Sequence, residues 1–171
     1  MSKWASWRGH AVIGFAVRTY LALVFLFACI HKILVPEDFA VDVATYEILP
    51  IVLVNPTAIA MPFVEAAAGL LLLVGFRTKG AALLIALMML VFTAAVSIAL
   101  AKGLNMSCGC FASKGAALDP ISWKTIFRDS GWLLLSMYIF VFEDGVLGVD
   151  GLLRRHRAKR DHRIEHKERQ S

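Results

Sequence analysis

Four long runs of apolar residues, separated by short polar stretches, follow one another along this chain: Ala11 to Leu34, Pro50 to Gly75, Ala81 to Ala101 and Pro120 to Phe142. Each holds at least about 20 residues, the length that crosses roughly 30 Å of hydrocarbon at 1.5 Å per residue. A chain of this pattern buries apolar surface against lipid as well as against itself. It predicts an all-α integral membrane four-helix bundle and excludes a water-soluble core. The first run follows a basic start (Lys3, Arg8), as a signal peptide would, but it is too long for one and lacks a small-x-small cleavage site. Leu26-Phe27-Ala28-Cys29 matches a lipoprotein processing site poorly at Phe27, so a retained first helix is expected.

Composition agrees with this pattern and adds a boundary. The 171 residues are 58% hydrophobic, with a mean hydropathy of +0.68, and basic charge concentrates at the ends. Residues 1–150 are expected to form the membrane domain and 151–171 a basic, disordered cytoplasmic tail lying on anionic headgroups, at about 1 kcal/mol per basic residue near the surface. His156, His162 and His166 belong to that polar tail, with no Cys or carboxylate cluster at metal-ligand spacing. A nucleic-acid role for the tail is not expected on a membrane protein.

Charge orients the bundle. The N-terminal flank carries Lys3 and Arg8, and the turn Phe76-Arg77-Thr78-Lys79-Gly80 is basic. The tail has eight Lys or Arg from Arg154 onward, whereas the loop from Val35 to Leu49 holds Glu37, Asp38, Asp42 and Glu47 and no base. The loop between the third and fourth runs has Lys102 and Lys114 against Asp119. The positive-inside rule then predicts a cytoplasmic N-terminus, C-terminus and second turn, with the first and third loops outside.

That orientation places Cys108-Gly109-Cys110 in the oxidising compartment of a bacterium, where disulfides persist. A bridge across one residue closes a small, stretched ring, with Gly109 supplying backbone freedom; strained disulfides are the easily reduced ones. A staple is the weaker reading, because loop-entropy stabilisation grows with loop length. A soft-metal site on Cys108 and Cys110 is the alternative, with Met106 as the one adjacent further ligand. Cys29, near the outer end of the first run, reads as a small hydrophobe or as a thiol that exchanges with the pair.

Charges inside the apolar runs need reasons, since each costs about 2.5–3.5 kcal/mol at a helix centre. Arg18 and Glu65 lie about 10 and 15 Å from the cytoplasmic face by residue count, and an ion pair between them is expected, with proton transfer or quinone binding as the functional alternative. Glu65 precedes the small-residue face Ala66-Ala67-Ala68-Gly69, which admits a close neighbour. Pro56 and Pro62 are expected to kink or break the start of the second helix and free backbone carbonyls there. Asp119-Pro120 predicts the N-cap and first residue of the fourth helix, with Trp123 at the interface. Lys124 and Arg128, four apart, share one helix face. Lys124 either snorkels to headgroups or joins Arg128 in favouring a thiolate in the third loop; Arg128 alternatively pairs with Glu47 or Asp129.

Arg18, then Lys32, Pro36 and Phe39, and Pro62 with Glu65, Gly69 and Gly75-Phe76-Arg77-Thr78, resemble the DoxX-like membrane proteins. Ser107-Cys108-Gly109-Cys110-Phe111, Ile121-Ser122-Trp123 and Arg128-Asp129 resemble more specifically the methylamine-utilisation MauE branch, with coverage from about residue 14 to 142. Two positions depart: Ala112 stands where Gly is expected and Asp129 where Asn is expected. The resemblance implies a multi-pass inner-membrane protein assisting disulfide formation or thiol redox traffic in periplasmic clients, beside a thioredoxin-like partner.

Three functions compete. The first is a thiol–disulfide oxidoreductase or redox accessory, with Cys108 and Cys110 exchanging with a periplasmic thiol protein. Electrons would pass to or from a quinone among the helices near Arg128, Lys124, Glu65 and Arg18. The second is a soft-metal binding or uptake protein, although Met61, Met88 and Met89 form no ladder. The third is a non-catalytic assembly subunit of a membrane complex.

Overall fold

The computed structural model describes residues 9–104, 106, 108–109, 120–143 and 148–168. Within them the chain forms α1 (Gly9–Leu34), α2 (Pro36–Thr45), α3 (Ile51–Val74), α4 (Thr78–Ala101), α5 (Trp123–Phe142) and α6 (Val149–Glu168). Four helices, α1, α3, α4 and α5, are long and apolar enough to cross a membrane. Their outward faces carry large apolar side chains, such as Phe27, Val52, Val91 and Phe127, each at least two-thirds exposed. In water such a surface would drive association; against lipid it is the stable face.

α1 packs mainly on α3 and α4 mainly on α5, with α1 also meeting α5 and α3 meeting α4. Between them lies a core of Leu21, Phe25, Leu72, Ile85, Met89 and Ile139. The small-residue face of α3 does what the sequence suggests. A Cβ on Gly69 would lie 3.3 Å from the Ala22 carbonyl oxygen of α1 and 3.1 Å from Leu26, so the two backbones approach closely. α3 continues through Pro56 and Pro62, and neither proline ends it.

Two expected boundaries move. The fourth spanning helix begins at Trp123, not Pro120; Asp119 lies outside the described residues. Ser122 is its N-cap, extended at φ −155°, and its N–H donates to Thr125 Oγ1 at 3.3 Å. The acidic first loop contains α2, which starts with Pro36 and carries Glu37 and Asp38 in its first turn. Proline at the first helical position and acids beside the helix N-terminus both favour that start.

The tail, expected to be disordered, is helical as α6 to Glu168. Its Leu, Arg, Lys and Ala are good helix formers, and its start is tied to the bundle. Asp150 N–H donates to Gly75 O, while the Asp150 carboxylate accepts Arg77 N–H, Thr78 N–H and Thr78 Oγ1–H at 3.0, 3.0 and 3.2 Å. Burial pushes this carboxyl up, but the bonds from Thr78 and Arg77 outweigh it and leave it below the usual aspartate value. A depressed carboxyl contributes stability that is present above its unfolded value and is lost as pH falls through its folded one. The tie between α6 and the α3–α4 turn should therefore weaken in acid, and Asp150→Asn should remove that pH dependence at a cost of about 1 kcal/mol, as for a lost helix cap. Amide exchange at Thr78 and Arg77 measured against pH checks this; an unchanged pH profile in Asp150→Asn would refute it.

Candidate functional site

The chemistry gathers at two levels of the bundle. At the end formed by α2, the close of α4 and the start of α5, Cys108 is fully buried among Tyr46, Val96, Ala99, Met106 and Ile121. Met106 O accepts Ile121 N–H at 3.1 Å, and Tyr46 Oη donates to Cys108 O at 3.0 Å. These bonds hold Met106 to the start of α5 and Cys108 to the end of α2. Arg128 Nη2 approaches Cys108 Sγ at 3.2 Å. The guanidinium is itself held, by Asp129 Oδ1 at 3.1 Å from Nε and by the Trp132 ring 5.0 Å away. A cation held beside a sulfur favours its thiolate form, against the apolar burial that opposes ionisation.

Gly109 has φ +69°, and a Cβ there would fall 3.2 Å from the Cβ of buried Asp42 and 3.0 Å from its Oδ2. Its need for glycine therefore includes a close approach to α2, beyond the freedom to close a small ring. Cys110 lies outside the described residues. Lys124 is exposed on the first turn of α5 and is not among the described contacts of Cys108. The sequence offered Arg128 either an acid or a thiol; the structure gives it both.

The expected Arg18–Glu65 pair does not form. Glu65 takes Lys32, whose Nζ lies 2.8 and 2.9 Å from its two carboxylate oxygens, both residues buried. Lys32 also sits 4.9 Å from the Phe39 ring of α2. Arg18 takes Glu143 at 2.9 Å, with the two side chains 1% and 5% exposed. The reason is depth. α1 and α3 run antiparallel, so Arg18 lies level with Gly75, ten residues or about 15 Å along α3 from Glu65. Each charge has a partner at its own level. Burial pushes the Glu143 carboxyl up from the usual range, against the pull of Arg18.

Cys29 is buried on α1 one turn before Lys32, and its thiol donates to Leu26 O at 3.1 Å, the contact of a packed helix thiol. Next to Lys32 are two cavities. One of about 20 Å³ lies between Lys32, Glu65, Phe92 and Trp132; another of about 230 Å³ is lined by Lys32, Pro36, Ala58, Pro62 and Phe63. Pro62 has no N–H to give Ala58 O, its partner four residues back in a regular helix. Trp132 thus touches both levels, Arg128 on one side and the Lys32–Glu65 cavity on the other. Among the described residues, no group of three or more His, Cys, Asp and Glu comes together to hold a metal ion.

Sequence reasoning missed Lys32 and Glu143 as partners because each sits at the edge of an apolar run, where a charge reads as solvent-facing. The available signal was charge parity: two buried charges in apolar runs require two partners.

Four spanning helices around buried ion pairs define a multi-pass membrane protein. The family model for methylamine utilisation protein MauE matches residues 10–142, and the chain belongs to that family. It is 34% identical over 115 residues to methylamine utilization protein MauE of Paracoccus denitrificans, covering 67% of this chain and 61% of the relative. It is 28% identical over 121 residues to the protein of that name from Methylophilus methylotrophus, covering 70% and 63%. The match therefore spans a little over three-fifths of these relatives' length. No solved structure matches the chain.

Proposed function

We propose that this chain is an inner-membrane thiol–disulfide redox protein serving methylamine utilisation, with Cys108 and Cys110 facing the periplasm. The basic N-terminal flank, second turn and tail support that orientation. The observation that carries the redox reading is the Arg128 guanidinium 3.2 Å from the buried Cys108 sulfur.

The buried sulfur suits the leaving thiolate, and the attacked sulfur is then that of Cys110. A client thiolate attacks Cys110 of the Cys108–Cys110 disulfide, forming a mixed disulfide and releasing Cys108 as a thiolate beside Arg128. The client's second thiolate displaces Cys110, so the client gains a disulfide and the pair is left reduced. Reoxidation sends two electrons and two protons to a quinone, which becomes a hydroquinone. Its ring would enter the cavity of about 230 Å³ beside Lys32, where Lys32 Nζ can donate to a quinone carbonyl and Ala58 O can accept from a hydroquinone. The partner is a periplasmic thioredoxin-like or other thiol protein.

Cys108→Ser should leave Cys110 able to hold a client, so a reductant-sensitive mixed disulfide should accumulate in membranes. In Cys110→Ser it should not, and both variants should lose client disulfide formation by at least about tenfold. The midpoint potential of the pair should fall at about −230 to −120 mV, above structural disulfides. Full client maturation in both single variants defeats the proposal. Stoichiometric Cu(I) binding dependent on both thiols, without redox turnover, would transfer the site to a soft metal.

A further inference from the structure

At the opposite end of the bundle from Cys108, α6 and the α3–α4 turn enclose a cleft of about 850 Å³. Its apolar part is made by Leu71 on α3, Leu84 on α4 and Leu153 on α6, and its polar part includes Arg77, Arg154 and Arg157, all three exposed. We propose that this cleft seats one anionic phospholipid, with its phosphate on these arginines and an acyl chain along the leucines.

Three observations favour a bound lipid over a merely basic surface. First, the cations come from two elements that are tied together. The Asp150 carboxylate accepts three hydrogen bonds from Arg77 and Thr78, so the one acid among the described lining residues is already engaged by the turn. Arg77 itself is held at φ +48°, a left-handed conformation that non-glycine residues rarely adopt. Second, among the described residues, Glu143 near this end is buried against Arg18 and so does not offset the arginines. Third, Leu71 and Leu84 lie in the last turn of one spanning helix and the second turn of the next. The cleft therefore crosses the level at which hydrocarbon gives way to headgroups. A soluble anion would leave its apolar half wet, whereas a phospholipid fills both halves. Guanidinium groups suit a phosphate oxygen pair geometrically, and basic pockets between helices on the cytoplasmic side are known lipid-headgroup sites.

The test is native mass spectrometry of the full chain released from detergent, titrated with phosphatidylglycerol or with phosphatidylcholine. Phosphatidylglycerol should be retained more tightly. Arg154→Ala/Arg157→Ala should weaken its binding by about tenfold or more while phosphatidylcholine adducts stay the same. Both side chains are exposed, so the double variant should unfold at the wild-type temperature, which is measured in parallel. Phosphatidylglycerol binding unchanged in the double variant, or no preference over phosphatidylcholine in the wild type, overturns the proposal. So does displacement of phosphatidylglycerol by millimolar inorganic phosphate, which would make the cleft a soluble-anion site.

Discussion

Lys32→Met should destabilise the bundle by about 3–5 kcal/mol, because it leaves the Glu65 carboxylate buried without its cation. Both partners are buried, and Lys32 Nζ reaches both oxygens of Glu65 at 2.8 and 2.9 Å. The cavity that borders Glu65, about 20 Å³, is walled mainly by apolar groups such as Phe25, Phe92 and Trp132 and leaves little room for water to replace the ammonium. Thermal unfolding in detergent measures the loss. Lys32→Met/Glu65→Leu should regain most of it, since removing both charges removes the desolvation cost along with the attraction. A single-variant loss below about 1 kcal/mol would mean that water reaches Glu65 and that the pair is a surface-like one. The same pair of variants separates structure from chemistry. If the double variant is stable yet its thiols no longer reoxidise with added quinone, the Lys32–Glu65 pair has a functional as well as a packing role.

Gly75→Ala should cost about 2–4 kcal/mol, from two independent sources. Gly75 ends α3 with φ +71° and ψ 38°, the left-handed conformation in which a Cβ meets the following carbonyl oxygen. The added Cβ would also lie 2.7 Å from Arg18 Nη1 and 2.9 Å from the Cα of Gly148. A side-chain tip can move, but Gly148 is backbone. Shifting Arg18 would loosen its bond to Glu143. The internal control is Gly80→Ala in the first turn of α4, where a Cβ meets nothing within 4 Å. That change should be neutral or stabilising by up to about 1 kcal/mol, from helix propensity. Equal effects of the two substitutions would show that the tight junction at Gly75 is not what holds this end together.

Much of the architecture was legible in one dimension. The four spans end within about three residues of their expected limits, because hydrocarbon thickness sets a minimum length for any apolar crossing. The clearest miss at a boundary is instructive. Thr78-Lys79-Gly80 reads as a turn, since Lys and Gly favour one, yet α4 begins at Thr78. The hydrogen bonds that complete this start are accepted by Asp150, seventy-two residues further along the chain than Thr78. No local pattern contains that information. α2 was missed for a different reason: its ten residues are too few for the length argument, although its Pro-Glu-Asp start was visible.

A four-span membrane bundle, a pair of thiols one residue apart between the third and fourth spans, and a cation on the adjoining helix were all readable along the chain. These follow from hydropathy and spacing, which act along the chain. Packing across the bundle set which charge meets which. It joined Lys32 to Glu65 and Arg18 to Glu143, because depth in the bundle, not closeness in sequence, sets Coulomb partners where no water screens them. It likewise chose Arg128 and not Lys124 for Cys108. Residues four apart share a helix face, but among the described contacts it is Arg128 that reaches the sulfur, while Lys124 is exposed.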